Sequence, residues 1–275
     1  MANLKEIRTR ITSVASTMQI TSAMKMVSAA KLKRAQIHHQ QMRPYAEKLR
    51  EILVNISSTL EGSAEGVYSQ ERETQKVLLV AIASNRGLCG AFNANIFKAT
   101  EKRIKDYAGK EVQVYPIGKR SVDYFTGKHT IYNSNIEIFN DLNYDHVSVM
   151  AQEVMDAFVD GEFDKVEIIY NEFQNAATQE VITQQFVPVV ADENEEIDVN
   201  ADYIFEPTKS SIVVGLIPKS LKIQFYKSLL DSHASEHGAR MTAMHKATDN
   251  AEDLKSELKL TYNRQRQAAI TNEIL

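Results

Sequence analysis

A chain of 275 residues, 43% hydrophobic and 25% charged with only ten Gly and five Pro, has enough apolar material for one large or two modest folded domains, which excludes disordered and low-complexity classes. Its single cysteine, Cys89, excludes an intramolecular disulfide and leaves a Cys/His zinc ribbon short of thiols, which fits a reducing compartment. The net charge of −4 hides a segregation: residues 1–50 hold ten Lys/Arg against two Asp/Glu, residues 141–206 hold one Lys against seventeen Asp/Glu, and the basic end is expected to meet acidic surfaces.

In chain order, the first Pro is Pro44 and the first Gly is Gly62, so one very long helix is allowed over residues 1–60, on the order of 85 Å at ~1.5 Å per residue. Leu4, Ile7, Ile11, Val14 and Met18 step by three and four, a seam for a partner helix. From Ile20 to Ala35 the apolar residues Ile20, Ala23, Met24, Met26, Val27, Ala29, Ala30 and Leu32 face several directions between Lys25, Lys31, Lys33 and Arg34, which predicts more than one neighbour. Residues 61–75 read as a polar linker.

The period then changes. Val77–Ala83 is a continuous apolar run, expected of a strand covered on both faces and far short of the roughly 18–20 residues that span a bilayer. Helical spacing over 93–107, a strand at 111–115, a helix at 145–158 and strands at 166–170 and 181–189 predict a Rossmann-like α/β domain over 76–206, with an acidic solvated loop at 192–202. Beyond Pro218 the one breaker is Gly238, and Met241, Met244, Thr248, Ala251, Leu254 and Leu258 form a second seam within a helix assigned to 207–275. The two end helices are expected to pair as an antiparallel coiled coil around the inserted domain. Residues Met1–Glu6 lack the apolar core of a secretory signal, and a cytosol-side protein is expected.

Three motifs invite a chemical reading. The stretch Ser84–Gly90 follows the first strand, where phosphate loops sit, yet neither G-x-G-x-x-G nor G-x-x-x-x-G-K-[ST] is present and a tight strand-to-helix turn needs glycine on steric grounds. Cys89 within it is a nucleophile or, more simply, a small packed residue. His233-Ala234-Ser235-Glu236-His237 matches the inverted zinc-protease pattern, but a metalloprotease needs a third ligand, and the pair reads as chance on a polar helix face. Nucleic-acid binding by the basic helix competes with an acidic total and with Met and Ala among its lysines.

The segments Ile20–Lys31, Arg86-Gly87-Leu88-Cys89-Gly90, Ser235–Met244, Ala247–Asn250 and Asn263–Thr271 together resemble the gamma subunit of the rotary ATP synthase, in the expected order along the whole chain. The resemblance implies a non-catalytic central shaft inside a ring of three alpha and three beta subunits. It implies a foot domain against the epsilon subunit and the membrane c-ring, with a delta subunit in the same assembly, and no cofactor, metal or nucleic acid. By resemblance, Met24, Lys25, Arg240, Arg266, Gln267 and Thr271 face the alpha/beta ring, and Arg86, Gly87, Leu88, Cys89 and Gly90 form a structural turn. The implied work is coupling proton or sodium flow to ATP synthesis and hydrolysis at the beta subunits, peripherally at the cytoplasmic face of a bacterial plasma membrane. The family usually continues past residues 270–274 with a Gly-Ala segment, so a shortened tip is expected at Leu275, and a lone Cys89 cannot supply the chloroplast form's redox pair. The competing classes are a nucleotide- or metal-dependent α/β enzyme and a basic coiled-coil nucleic-acid binder.

Overall fold

The computed structural model describes residues 4–57, 67–70, 72–189 and 209–274. Helix α1 spans Leu4–Ser57 and α5 spans Lys209–Ile274, 54 and 66 residues long, and both run through their internal prolines, Pro44 and Pro218. Between them lie β1 (Lys76–Ile82), α2 (Phe92–Asp106), β2 (Glu111–Ile117), α3 (Lys119–Phe125), a 3₁₀ turn at Ile138–Asn140, α4 (Tyr144–Val159), β3 (Lys165–Phe173) and β4 (Gln179–Val187). The predicted helices and strands are all present with ends shifted by a few residues. Helix α3 and the 3₁₀ turn were not expected, being too short for a periodic signal. The proposed linker falls partly, and the acidic loop at 192–202 wholly, outside the described residues.

The four strands lie in the order β2-β1-β3-β4, parallel except for the antiparallel edge strand β4. The continuous apolar run of β1 follows from its central place, because alternate side chains feed two separate cores. Leu78, Val80 and Ile82 pack with Val147, Met150, Ala151, Val154 and Phe158 of α4 and with Leu221, Phe225 and Leu229 of α5. Val77, Leu79 and Ala81 pack the other way, with Ile96 of α2 and Phe125 of α3. Each fully buried side chain of this size is worth about 1.5–3 kcal/mol relative to exposure, so the two layers dominate foot stability. Asn143 caps α4, its side chain accepting from the His146 backbone N–H at 2.9 Å.

The end helices form an antiparallel pair. Thr248 Oγ1 lies 2.8 Å from Thr21 Oγ1, while farther along α1 Leu32 and Ala35 pack on Ala234, which lies earlier in α5. On α1 a series of buried and half-buried positions runs Leu4, Ile7, Ile11, Val14, Met18, Thr21, Lys25, Ser28, Leu32 and Ala35, alternating steps of three and four without a break. On α5 the matching series runs Met244, Thr248, Ala251, Lys255, Leu258, Tyr262, Gln265 and Ala269. A sustained period of 3.5 residues imposes a left-handed supercoil. Leu254, which sequence spacing placed in the seam, is 46% exposed and Lys255 takes the position. The 3.5 repeat selects its occupant by register, and the lysine's methylene stem fills the space while its charge reaches water.

Candidate functional surface

The face of α1 opposite the seam is apolar and has no neighbour among the described residues. Ile20 is 60%, Met26 66% and Val27 58% exposed, with exposed Ala23 between them and exposed Ala30, Lys31, Lys33 and Arg34 following. Three large apolar residues displayed on two successive turns depart from the charged outer face of an ordinary surface helix. Of the residues singled out by sequence, Met24 is half-buried at the border of this face and Lys25 is half-buried in the seam, whereas Arg266, Gln267 and Thr271 are exposed on α5 at the far end of the pair, near exposed Leu260 and Ile270. The sixth, Arg240, is 7% exposed and lies in the foot–shaft junction, apart from the other five.

That junction is built on the turn after β1. Asn93 Oδ1 accepts from the Ser84 backbone N–H at 3.0 Å, and its Nδ2 donates to Ser84 Oγ at 2.8 Å and Cys89 Sγ at 3.2 Å. Ser84 Oγ donates in turn to the Arg86 carbonyl at 2.7 Å. Leu88 and Gly90 both adopt φ of +61°, and Leu88 is held with its side chain 65% exposed. Cys89 is 1% exposed, and its burial pushes the thiol pKa up, opposite to what a reactive thiolate requires. The Arg86 and Gly87 carbonyls accept from Arg240 Nη2 at 2.9 Å and Nε at 3.3 Å, so these turn carbonyls face a protein guanidinium. Steric and hydrogen-bonding demands of the turn account for its residues without a bound phosphate.

The His233/His237 pair is not a surface accident, which corrects the sequence reading. His237 is 4% exposed, Phe139 stacks on His233 at 5.9 Å with planes 12° apart, and Arg240 Nη1 lies 3.2 Å from His237 Nδ1. Since a guanidinium only donates, His237 Nδ1 accepts, its proton sits on Nε2, and that group donates to His233 Nε2 at 3.1 Å. Glu236 Oε1 lies 2.7 Å from Arg240 Nη2 and completes the chain. Burial lowers the pKa values of His233 and His237 to about 4 and about 3, assisted by nearby Lys31 and Arg240. Sequence could not show this, because the cover on that face of α5 comes from loops distant in the chain. Elsewhere, an open hollow of about 520 Å³ is lined by polar and apolar residues alike, among them Tyr115, Asn135, Glu137, Ile138, Val149 and Met150. No cluster of three metal-ligating side chains occurs among the described residues.

A two-helix rod on an α/β foot, with an apolar patch on the outer face of α1 and a hydrogen-bonded junction where rod meets foot, defines the class: a structural stalk without a catalytic constellation among the described residues. The family model described as ATP synthase matches residues 3–275. The ATP synthase gamma chain of Flavobacterium johnsoniae is 60% identical over 275 residues, covering all of this chain and 96% of that protein. Among solved structures, the rotor of the Euglena gracilis mitochondrial ATP synthase superposes with a TM-score of 0.67 at 18% identity, over 97% of this chain and 98% of that one. The central stalk/c-ring structure of the Tetrahymena thermophila mitochondrial enzyme gives 0.63 at 24% identity, over 83% of this chain and 99% of that one. The chain belongs to the ATP synthase gamma family, the non-catalytic central-stalk subunits of F-type ATP synthase. No helix among the described residues is long and apolar enough to cross a membrane.

Proposed function

We propose that residues 1–60 and 207–275 of this chain form a shaft turning inside a ring of alpha and beta subunits. Residues 76–206, joined through a linker at 61–75, form the foot, which docks with the epsilon subunit and the c-ring at the cytoplasmic face of a bacterial plasma membrane, in an assembly that includes delta. The observation that carries this reading is the exposed apolar face of Ile20, Met26 and Val27, directed away from the seam. Met24, Lys25, Arg266, Gln267 and Thr271 are the polar and flanking contacts to the ring, while Arg240 acts from within the junction.

The mechanism follows from cross-section. Two helices side by side cannot present the same surface to three equivalent neighbours, so at any angle the three catalytic sites meet different side chains. A contact that differs between conformations shifts their equilibrium by its differential free energy, and ~1.4 kcal/mol already changes a population tenfold. Turning the shaft therefore cycles each site through the same sequence of states, and ion flow at the foot supplies the torque for release of ATP. Basic residues on the amino-terminal helix suit acidic levers on the ring, and the pairing guides orientation more than it adds affinity.

The test is a disulfide between Val27→Cys and a cysteine placed on the facing ring subunit of the assembled complex. Steady ATP turnover stops when the bond forms and returns on reduction. Full turnover with the bond verified in place contradicts a turning shaft.

A further inference from the structure

Helix α5 meets the foot on two separate faces within nine residues. On one side Ser235 Oγ donates to the Asn171 carbonyl at 3.1 Å and Thr242 Oγ1 donates to the Ala176 carbonyl at 3.1 Å. Between them Gly238 approaches so closely that a Cβ would stand 3.1 Å from the Ala176 carbonyl oxygen. On the other side Arg240 binds the Arg86 and Gly87 carbonyls, and Ala243 faces Gly90, whose Cβ would lie 3.9 Å from that of Ala243. At 3.6 residues per turn, Ser235, Gly238 and Thr242 share one face of the helix, and Glu236, Arg240 and Ala243 share another roughly 130° away.

The two jaws have a common base. Asn171 and Ala176 lie at the end of β3 and in the hairpin after it, Arg86 to Gly90 lie in the turn after β1, and β1 and β3 are adjacent parallel strands. Both loops therefore leave the same edge of one rigid sheet. A rod touched on one face rolls when twisted about its axis, whereas contacts on two faces this far apart resist the twist together. The jaw at the turn depends on a single guanidinium that is 7% exposed and is itself held by Glu236 and His237.

We propose that residues 235–243 and these two loops are the joint through which twist passes between foot and shaft, with Arg240 as the positioning residue that closes one jaw. This rests on the rotor reading and adds to it where torque enters the shaft. Glu236 keeps the guanidinium fork aimed at the two carbonyls, and His237 Nδ1 accepts from its third nitrogen, Nη1. The glycine at 238 lets the other jaw close on backbone.

The experiment uses the assembled complex with the ring fixed, the upper shaft locked to it by the Val27 disulfide, and an optical probe on the foot. The width of the probe's angular fluctuations then reports torsional compliance. Releasing this jaw predicts a rise in angular variance for Arg240→Met, held below twofold because Leu221, Phe225 and Leu229 still anchor α5 in the foot core, and a smaller rise for Arg240→Lys, which keeps the charge but loses the fork. An unchanged variance in Arg240→Met overturns the joint while leaving the rotor intact. A foot that spins freely although the shaft is locked overturns the rotor reading itself. Hydrogen exchange on the unsubstituted complex decides the matter if the variants do not assemble: amides of 86–90 and 236–243 are expected to open together, and independent opening overturns the proposal.

Discussion

Acidification is expected to weaken the fold through the buried imidazole pair. Both histidines titrate well below their ordinary value of 6.5, His233 at about 4 and His237 at about 3, so between about pH 3 and 6.5 the unfolded chain binds protons that the native chain refuses. Stability is therefore full above pH 6.5 and declines as pH falls through that window. At pH 5 the unfolded form gains about 1.5 pH units of protonation free energy at each site, about 2 kcal/mol per histidine and at most about 4 kcal/mol for the pair. The structural cause is direct: a proton on His237 Nδ1 would confront the Arg240 donor 3.2 Å away, and Lys31 adds to the positive field. Urea midpoints of the full chain at pH 5, 6, 7 and 8 and constant ionic strength measure the slope. The same series on His233→Gln/His237→Gln removes the two groups and leaves every other titration in place. The double variant is expected to lose less stability than the parent between pH 8 and pH 5, and equal losses in the two proteins would refute this assignment.

Three further outcomes follow. Gly215→Ala, with nothing within 4 Å of a new Cβ, is expected to stabilise α5 by up to about 1 kcal/mol in thermal melts, whereas Gly238→Leu, facing the Ala176 backbone, is expected to cost about 1–3 kcal/mol. Glu167 is 2% exposed and, although burial pushes its pKa up, hydrogen bonds from Arg103 at 2.6 Å and Tyr107 at 2.7 Å bring it below the usual carboxylate range. Arg103→Met alone is then expected to cost about 3 kcal/mol by urea titration, and adding Glu167→Leu to recover most of it. Ile20→Ser, Met26→Ser and Val27→Ser should each change the stability of the free chain by no more than about 0.5 kcal/mol yet weaken its capture by an alpha/beta ring, measured by titration of labelled chain.

The parts legible in the sequence are those in which local pattern and tertiary environment coincide. The run Val77–Ala83 announced a doubly covered strand because no polar residue interrupts it, and β1 proved to be the strand shared by both cores. The long helices were legible through missing breakers, and the breakers that did occur sit inside them: Pro44, Pro218 and Gly238 are all helical. Tertiary packing outweighed their propensity, and Gly238 marks a close backbone approach instead of an end. Short α3 and the antiparallel direction of β4 left no comparable signal, since a strand of given pattern pairs either way. The junction was least legible. Arg240, Glu236 and His237 owe their burial to Arg86 and Gly87, some 150 residues distant in the chain, and only the fold brings them together. One trace was available: several polar and titratable residues crowd into 233–240 in the middle of a helix otherwise stepping toward an apolar seam.

The central claim, that this chain turns as a shaft, is tested most directly by watching it turn. With the alpha/beta ring immobilised and a probe attached through an exposed residue of the foot such as Lys128, addition of ATP is expected to drive unidirectional rotation in three equal steps per revolution, one for each catalytic site. A foot that remains stationary while the same immobilised complexes hydrolyse ATP at their normal rate would contradict it.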